Sequence, residues 1–287
     1  MPNSDATPIA GRRSPLIDLH LHTTASDGVD TPEALVAKCA AAGLTVMAVT
    51  DHDTVDAVGA AEDAAIGSGL SVVPGIEITA VWQERDVHVL GYFINDRDPA
   101  LTAFLSAQCD DRIRRARVIG RRLAAMGASI DIEQIVERAG HNPVSRPSIA
   151  QALVDAGHAE DRRDAFDRYV GEGSPAFAPR DGTSIEDAIR IIRKTGGLAS
   201  LAHPGLTRID DLIPSLAEAG LGAIEVYHVD HSDADTRRYR ALARELNLGI
   251  TGGSDYHGDQ SHHPGGLGRF VTPGRDFDDL CRRAGVS

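Results

Sequence analysis

His20-Leu21-His22 sets two imidazoles two residues apart. On an extended strand, residues at that spacing face the same side, so both rings can reach one metal ion. Asp27 follows in a Ser-Asp-Gly turn, and Thr50-Asp51-His52-Asp53, Gly75-Ile76-Glu77, His88, Ala202-His203-Pro204-Gly205 and Ser254-Asp255-Tyr256-His257 come later. A lone buried histidine is more often a satisfied core residue than a ligand. Six strands that each carry a histidine or carboxylate at or near one end are not explained in that way. Imidazole and carboxylate without thiolate suit manganese, iron or zinc and argue against a soft-metal site. So many ligands leave room for two or three ions, and a carboxylate such as Glu77 could bridge two of them. Clustered ions activate water, polarise a phosphoryl group and stabilise a leaving oxygen, so no general base from the protein is strictly required.

The elements that must position these residues alternate along the chain. Residues 15–21 read as a short buried strand. A helix over 31–42 follows, with Thr31 as N-cap, Pro32 at the first helical position and Glu33 in the first turn, stopped by Gly43. Strands are predicted at 44–50, 71–79 and 87–93, with an alanine-rich helix at 56–68. Such alternation implies parallel strands joined by crossover helices, and parallel barrels gather functional residues at the carboxyl ends of their strands. From 98 to 177 the strand signals vanish. Helical stretches are predicted at 100–126, 132–139, 147–156 and 162–170. Arg112, Arg114, Arg115, Arg117, Arg121 and Arg122 crowd the first of these. They read as a solvated face, with a substrate-facing basic surface as the alternative. Alternation resumes with helices at 184–195, 209–219 and 233–246 and strands at 197–202, 223–226 and 249–252. The expected organisation is a polar tail (1–14), an α/β barrel (15–97 and 180–287) and a helical insertion (98–179).

The bulk numbers narrow the partners. The 287 residues are 42% hydrophobic and 25% charged, ordinary for a globular protein. A net charge of -13 lacks the basic footprint of a duplex-DNA binder, though it is compatible with a small phosphorylated substrate. Cys39, Cys109 and Cys281 form no CxxC pair, which suits a reduced, cytoplasmic protein and rules out a thiolate zinc site of the usual spacing. The first residues show no apolar signal-peptide core, and no apolar run approaches the ~20 residues of a membrane span.

The segments IDLHLHTTASDG, AVTDHDT, VPGIEIT, DVHVLGY, LAHPG and GGSDYHG resemble the signature motifs of the PHP (polymerase and histidinol phosphatase) family, over almost the whole chain from Leu16 to Gly258. The resemblance implies a distorted (β/α)7 barrel with a trinuclear metal centre. One ion would take His20, His22, Glu77 and Asp255; a second, the bridging Glu77 with His88 and His203; the third, Asp27, His52 and His257. Some members carry histidine where Asp27 stands, and a carboxylate changes the charge of that third site. Manganese would be the foremost metal, with iron(II) or zinc as alternatives, and His20, His22, Glu77, His203 and Asp255 would carry catalysis. The helical insertion resembles that of stand-alone phosphoesterases of the family. These act on nucleoside 3',5'-bisphosphates and on short single-stranded RNA from its 5' end. By the same resemblance Arg146, in Ser145-Arg146-Pro147-Ser148, would clamp a substrate phosphate, the bland alternative being a helix-start salt bridge.

His228 could contact substrate or serve as a general acid. His228 and His231 are nonetheless read as loop residues without a metal role, His262 and His263 as solvent-exposed, and His141 and His158 carry no motif. Three rival functions stand beside this one. The first is a histidinol phosphatase-like or other small-molecule phosphatase. The second is an amidohydrolase-type enzyme, which would want a bridging lysine that no strand end offers. The third is a non-catalytic metal-binding module, which would lack ligands that are all present here.

Overall fold

The computed structural model describes residues 15–140, 144–180, 182–258 and 266–286. The tail at 1–14 and His141, His262 and His263 lie outside the described residues. In chain order the elements are β1 (Ile17–Asp18), α1 (Pro32–Ala41), β2 (Val46–Val49), α2 (Val58–Ala65), β3 (Ser71–Trp82), β4 (Arg85–Tyr92), α3 (Pro99–Ala125), α4 (Ile132–Ala139), α5 (Arg146–Asp155) and α6 (Arg162–Ala165). A π-helical turn (Phe166–Val170) extends α6. The chain continues with α7 (Ile185–Lys194), β5 (Leu198–Leu201), α8 (Pro204–Thr207), a 3-10 turn (Asp210–Leu212), α9 (Ile213–Ala219), β6 (Ala223–Tyr227), α10 (Asp233–Glu245), β7 (Gly249–Gly252) and α11 (Gly274–Ala284).

Local chemistry accounts for many of these boundaries. Thr31, Asp98, Asp131, Ser145, Asp161, Ser184 and Ser232 each cap a helix by accepting a backbone N–H in its first turn. The helix α11 was not expected from the sequence. It packs Leu280, Phe277 and Ala284, spaced along one face, against the barrel's core.

Seven strands form one sheet in the order β1-β2-β3-β4-β5-β6-β7. The expectation of uniformly parallel strands is corrected at one place. β4 runs antiparallel to both β3 and β5, whereas the other neighbours are parallel. β3 continues past the expected stop at residue 79 and turns back through Gln83 and Glu84, both in the left-handed region. Two such residues make the tight turn that suits the twist of a hairpin. The usual Asn-Gly signal is missing, so the hairpin was hidden. The two sheet ends meet through the Leu21–Tyr256 bridge and the Leu19 N–H donated to the Gly252 carbonyl (3.2 Å), nearly closing a distorted barrel.

Apolar residues sort into layers. Ile76, Ile78, Val87, Val89, Leu201, Ile224 and Val226 of the sheet pack against Ile185, Ile189 and Ile192 of α7 and Tyr239 of α10. A separate core, including Ile119, Leu123, Ile149, Leu153 and Val170, lies wholly between residues 116 and 178. Leu101 and Leu105 at the start of α3 belong instead to the barrel's core. The helix α3 therefore spans both.

The arginine run on α3 divides. Arg114, Arg117, Arg121 and Arg122 are exposed, as expected of a solvated face, but Arg112 and Arg115 turn inward and are buried. Arg112 donates to Asp53 (2.7 Å) and to the Thr79 hydroxyl (2.9 Å), Arg180 lies 3.5 Å from the same carboxylate, and Asp53 also accepts the Thr79 N–H (2.8 Å). Burial pushes the Asp53 carboxyl up, but Arg112 and Arg180 hold it below its ordinary 3.8. A depressed folded-state pKa stabilises fully above the unfolded value, and the contribution is lost as pH falls through the folded one. Asp53→Asn keeps the shape and strands buried guanidinium charge. It should lower the unfolding free energy in urea by about 3–5 kcal/mol at neutral pH. That gap should narrow as the pH drops below about 4, and a gap constant to about pH 3 would exclude the carboxylate as its source.

Candidate metal centre

Glu77 is the hub of the site. Its carboxylate is buried, with Oε2 standing 3.2 Å from His20 Nε2, His22 Nε2 and His52 Nδ1. Its Oε1 stands 2.8 Å from His88 Nδ1 and 3.2 Å from His203 Nε2. Asp255 Oδ1 closes a second corner at 3.3 Å from His20 Nε2 and 3.1 Å from His22 Nε2. Asp27 forms a third with His257 Nε2 (3.3 Å), His52 Nε2 (3.8 Å) and His22 Nδ1 (3.8 Å).

The fold explains the convergence. His20 and His22 flank Leu21, whose backbone pairs with Tyr256, so loops after β1 and β7 bring their ligands to the same rim. His52, just past the end of β2, bridges in parallel to Glu77, in the middle of the long strand β3. His88 is the exception to the carboxyl-end expectation: it lies in the first half of the antiparallel β4, opposite Thr79. Its reversed strand brings it to the shared rim. His203 (φ 25°) and Asp255 (φ 51°) occupy the left-handed region. Non-glycine residues hold such conformations where the surroundings impose them, commonly at functional sites.

Comparison with known proteins agrees with this geometry. The PHP domain family model matches residues 18–141. The 5'-3' exoribonuclease Rnm of Escherichia coli is 36% identical over 84% of this chain and 85% of its own. The chain belongs to the PHP family. A 3',5'-nucleoside bisphosphate phosphatase of Chromobacterium violaceum is 35% identical over 93% of this chain and 94% of its own. The solved structure of a candidate metal-dependent phosphoesterase from Bifidobacterium adolescentis superposes with a TM-score of 0.85 at 30% identity, covering 94% of this chain and 98% of that one. This PHP protein is accordingly a hydrolase of phosphoric ester bonds.

All nine expected ligand positions come together in this PHP centre. Two of the sets gather as anticipated: His20, His22, Glu77 and Asp255, and Asp27, His52 and His257, the latter joined by His22. Glu77 also meets His88 and His203, and His52 falls into a group with Glu77 and His88, so the sets overlap rather than partition.

The ligand chemistry fits divalent ions. Both ring nitrogens of His22 and Nδ1 of His52 are buried without a hydrogen bond, although carboxylate oxygens stand close by. Two atoms each about 2.1 Å from a shared ion stand roughly 3.0–3.4 Å apart, the separation seen around Glu77 and Asp255. Charge points the same way. Burial opposes charging of His22, yet Asp255 and Glu77 hold its pKa at about 10. Burial, reinforced by His88 and His22, pushes His52 down to about 3 despite the acids beside it. Glu77 and Asp255 would be raised by burial but are held well below the carboxylate range by the surrounding histidines. The lysine that an amidohydrolase-type site would want is missing from the cluster, since Lys38 and Lys194 are the chain's only lysines and neither is among its residues.

Four acids missed in the sequence build the frame behind the ligands. Asp51 accepts from Thr23 N (2.7 Å), Thr23 Oγ1 (2.6 Å) and Ser26 Oγ (2.6 Å), fixing the loop that carries Asp27. Asp18, pushed by burial to a pKa of about 6 against its hydrogen bonds, accepts the Ser254 N–H (2.9 Å) beside Asp255. Asp53 anchors Arg112 of α3, and Glu225 lies between Ile224 and Val226 on β6, bonded to His20 (2.9 Å). A charged residue inside an apolar strand was the signal for Glu225.

The two expected phosphate contacts separate. Arg146 lines a cleft with Asp27, His52, His88, Asp86 and Arg115, and donates to Asp86 (2.9 Å). His228 is buried, 3.4 Å from Asp255 Oδ2, and is not among the residues that line this cleft. His231 is likewise buried and hydrogen-bonded, as a core histidine would be, while His158 bonds the Ser129 carbonyl far from the site. Among the described residues, no helix is long and apolar enough to cross a membrane.

An ion shared among these ligands must stabilise the fold by mass action. Adding manganese to chelator-stripped protein, at about 100 times its dissociation constant, should raise the unfolding free energy by about 2.7 kcal/mol, seen as a higher melting temperature. His22→Ala should lose most of that shift; an undiminished shift would put the ions elsewhere.

Proposed function

We propose that this protein hydrolyses phosphate monoesters, foremost the 3'-phosphate of nucleoside 3',5'-bisphosphates, and acts on short RNA from its 5' end. The observation that carries this reading is the arginine-bearing cleft between the insertion and the ligands Asp27, His52 and His88. The E. coli and C. violaceum relatives, an exoribonuclease and a bisphosphate phosphatase by name, support both halves of it. In this reading residues 98–179 form an insertion that supplies one wall of the substrate site, and 15–97 with 180–287 supply the barrel.

His20, His22, Glu77, His88, His203 and Asp255 would hold two ions, and Asp27, His52 and His257 a third, with manganese foremost. When bound, such ions lower the pKa of water and neutralise charge on the phosphoryl group and leaving oxygen. The remaining work falls to the chain's own groups. Arg146 is half-buried and lies 5.6 Å from the Phe177 ring centroid and 6.0 Å from that of Phe166, which restrict its guanidinium. Asp86 takes one of its N–H donors and also faces Arg115 (3.5 Å), so two guanidiniums are aimed without being neutralised one for one. A planar guanidinium can then offer its other donors to a second phosphate of the substrate. Ile119, Val144 and Phe166 give the same cleft an apolar side suited to a sugar or base.

With metal-loaded protein, adenosine 3',5'-bisphosphate should release inorganic phosphate and leave adenosine 5'-monophosphate. Release from histidinol phosphate alone would overturn the substrate assignment. Arg146→Ala should raise KM for the bisphosphate roughly 10- to 100-fold, the loss of charged hydrogen bonds, with a smaller change in kcat. An unchanged KM would exclude the clamp.

A further inference from the structure

Glu225 groups with His20 and His228 on the Nδ1 side of the His20 ring, the side away from Glu77 and Asp255. Ile224 and Val226 on either side belong to the core between sheet and helices, so alternation along β6 turns Glu225 into the barrel, where it is buried. Its Oε1 lies 2.9 Å from His20 Nδ1, and its Oε2 accepts the His203 backbone N–H at 2.8 Å. We propose that Glu225 is a positioning residue for the metal centre, one carboxylate that fixes the ring tautomer of His20 and the left-handed backbone of His203 together. This rests on the metal-dependent reading given above.

The two bonds do different things. A carboxylate only accepts, so His20 must carry its proton on Nδ1, and a neutral ring then turns the Nε2 lone pair toward Glu77 and Asp255. Partners of this type orient ligating histidines and raise their basicity. At His203 the backbone has φ 25° and ψ 58°, a conformation held by its surroundings. Glu225 takes the N–H of that residue. Two residues on, the Gly205 N–H donates to His231 Nε2 (3.1 Å), while His231 Nδ1 donates to the Val226 carbonyl (3.0 Å). β6 and its following loop thus grip the His203-Pro204-Gly205 turn at both ends, and through Glu225 they align it with His20.

The arrangement also explains why the residue must be an acid rather than an amide. Both groups that Glu225 meets are hydrogen-bond donors. A glutamine has the same length but one accepting oxygen, so its NH2 would face either His20 Nδ1–H or His203 N–H.

The test is zinc titration of metal-stripped wild type, Glu225→Gln and His20→Ala, with folding followed by circular dichroism. Glu225→Gln should stay folded and lose about 10- to 100-fold in zinc affinity, the usual effect of removing such a partner. In the metal-loaded enzyme kcat should fall by a comparable factor, with KM for adenosine 3',5'-bisphosphate moving far less, because the cleft residues are untouched. Wild-type zinc affinity in folded Glu225→Gln would overturn the proposal. Should that variant not fold, nitrogen-15 NMR of the zinc-loaded wild type decides: a proton on His20 Nδ1 supports the role, and an unprotonated Nδ1 overturns it. If wild type and His20→Ala bind zinc equally, the metal-centre reading fails and takes this inference with it. Tight binding by wild type and Glu225→Gln alike, lost in His20→Ala, sinks the inference and leaves the reading standing.

Discussion

A single buried carboxylate, Glu77, meets five imidazole nitrogens within 3.2 Å, and much of the molecule is arranged to make that tolerable. Removing a carboxylate from water costs several kcal/mol unless positive charge and hydrogen bonds replace the solvent. Imidazoles can supply that charge only in part, because burial opposes their charging and, packed together, they repel one another's protons. His22 is driven up to about 10 while its neighbour His52 is driven down to about 3. Divalent ions resolve the conflict, since each carries its charge at a point that several lone pairs can share. The acids outside the ring then serve geometry. Asp18, Asp51 and Glu225 each accept backbone N–H groups from loops that carry ligands, so the ring is held by the barrel's own frame.

The reversal of β4 ties this centre to the helices α3 and α5. A parallel strand would have needed a crossover before returning to the sheet. The hairpin instead carries β3 and β4 beyond the rim, with His88 diagonal to Glu77 across the ladder. Two residues before His88, Asp86 lies on the projecting part of β4 and reaches Arg115 of α3 and Arg146 of α5. One short strand segment therefore touches both the metal ligands and the groups suited to substrate.

The helices between residues 98 and 179 have an apolar core of their own, and besides Leu101 and Leu105 they meet the sheet through buried polar bonds: Arg112 on Asp53, and Gln108 Nε2 donating to the Thr79 carbonyl (3.2 Å). Apolar contacts tolerate sliding, whereas a guanidinium between fixed oxygens has one good position. That choice suits a wall whose arginines must stay in register with ligands on another part of the fold. The backbone at Asp53 lies in the left-handed region (φ 51°), next to His52, so the anchor and a ligand share one strained turn.

Residue type and strand periodicity were enough to show in the sequence that histidines and carboxylates from six strands converge, because buried strands leave few other roles for such groups. Caps and stops were equally local, and Thr31, Pro32 and Gly43 bound their helix where expected. What the sequence could not carry were relations between distant segments with no local signature. The β3–β4 turn uses Gln83 and Glu84 in place of glycine or asparagine, so only pairing across the sheet reveals the reversal. Arg112 and Arg115 look like Arg114 and Arg117 on the chain; helix rotation against the barrel decides which are buried. His228 follows its strand as the ligands follow theirs, and only burial behind Asp255 distinguishes it. Which residues could ligate was therefore a property of chemistry written locally, whereas which of them face the cleft, and what holds each ring in place, was decided by packing.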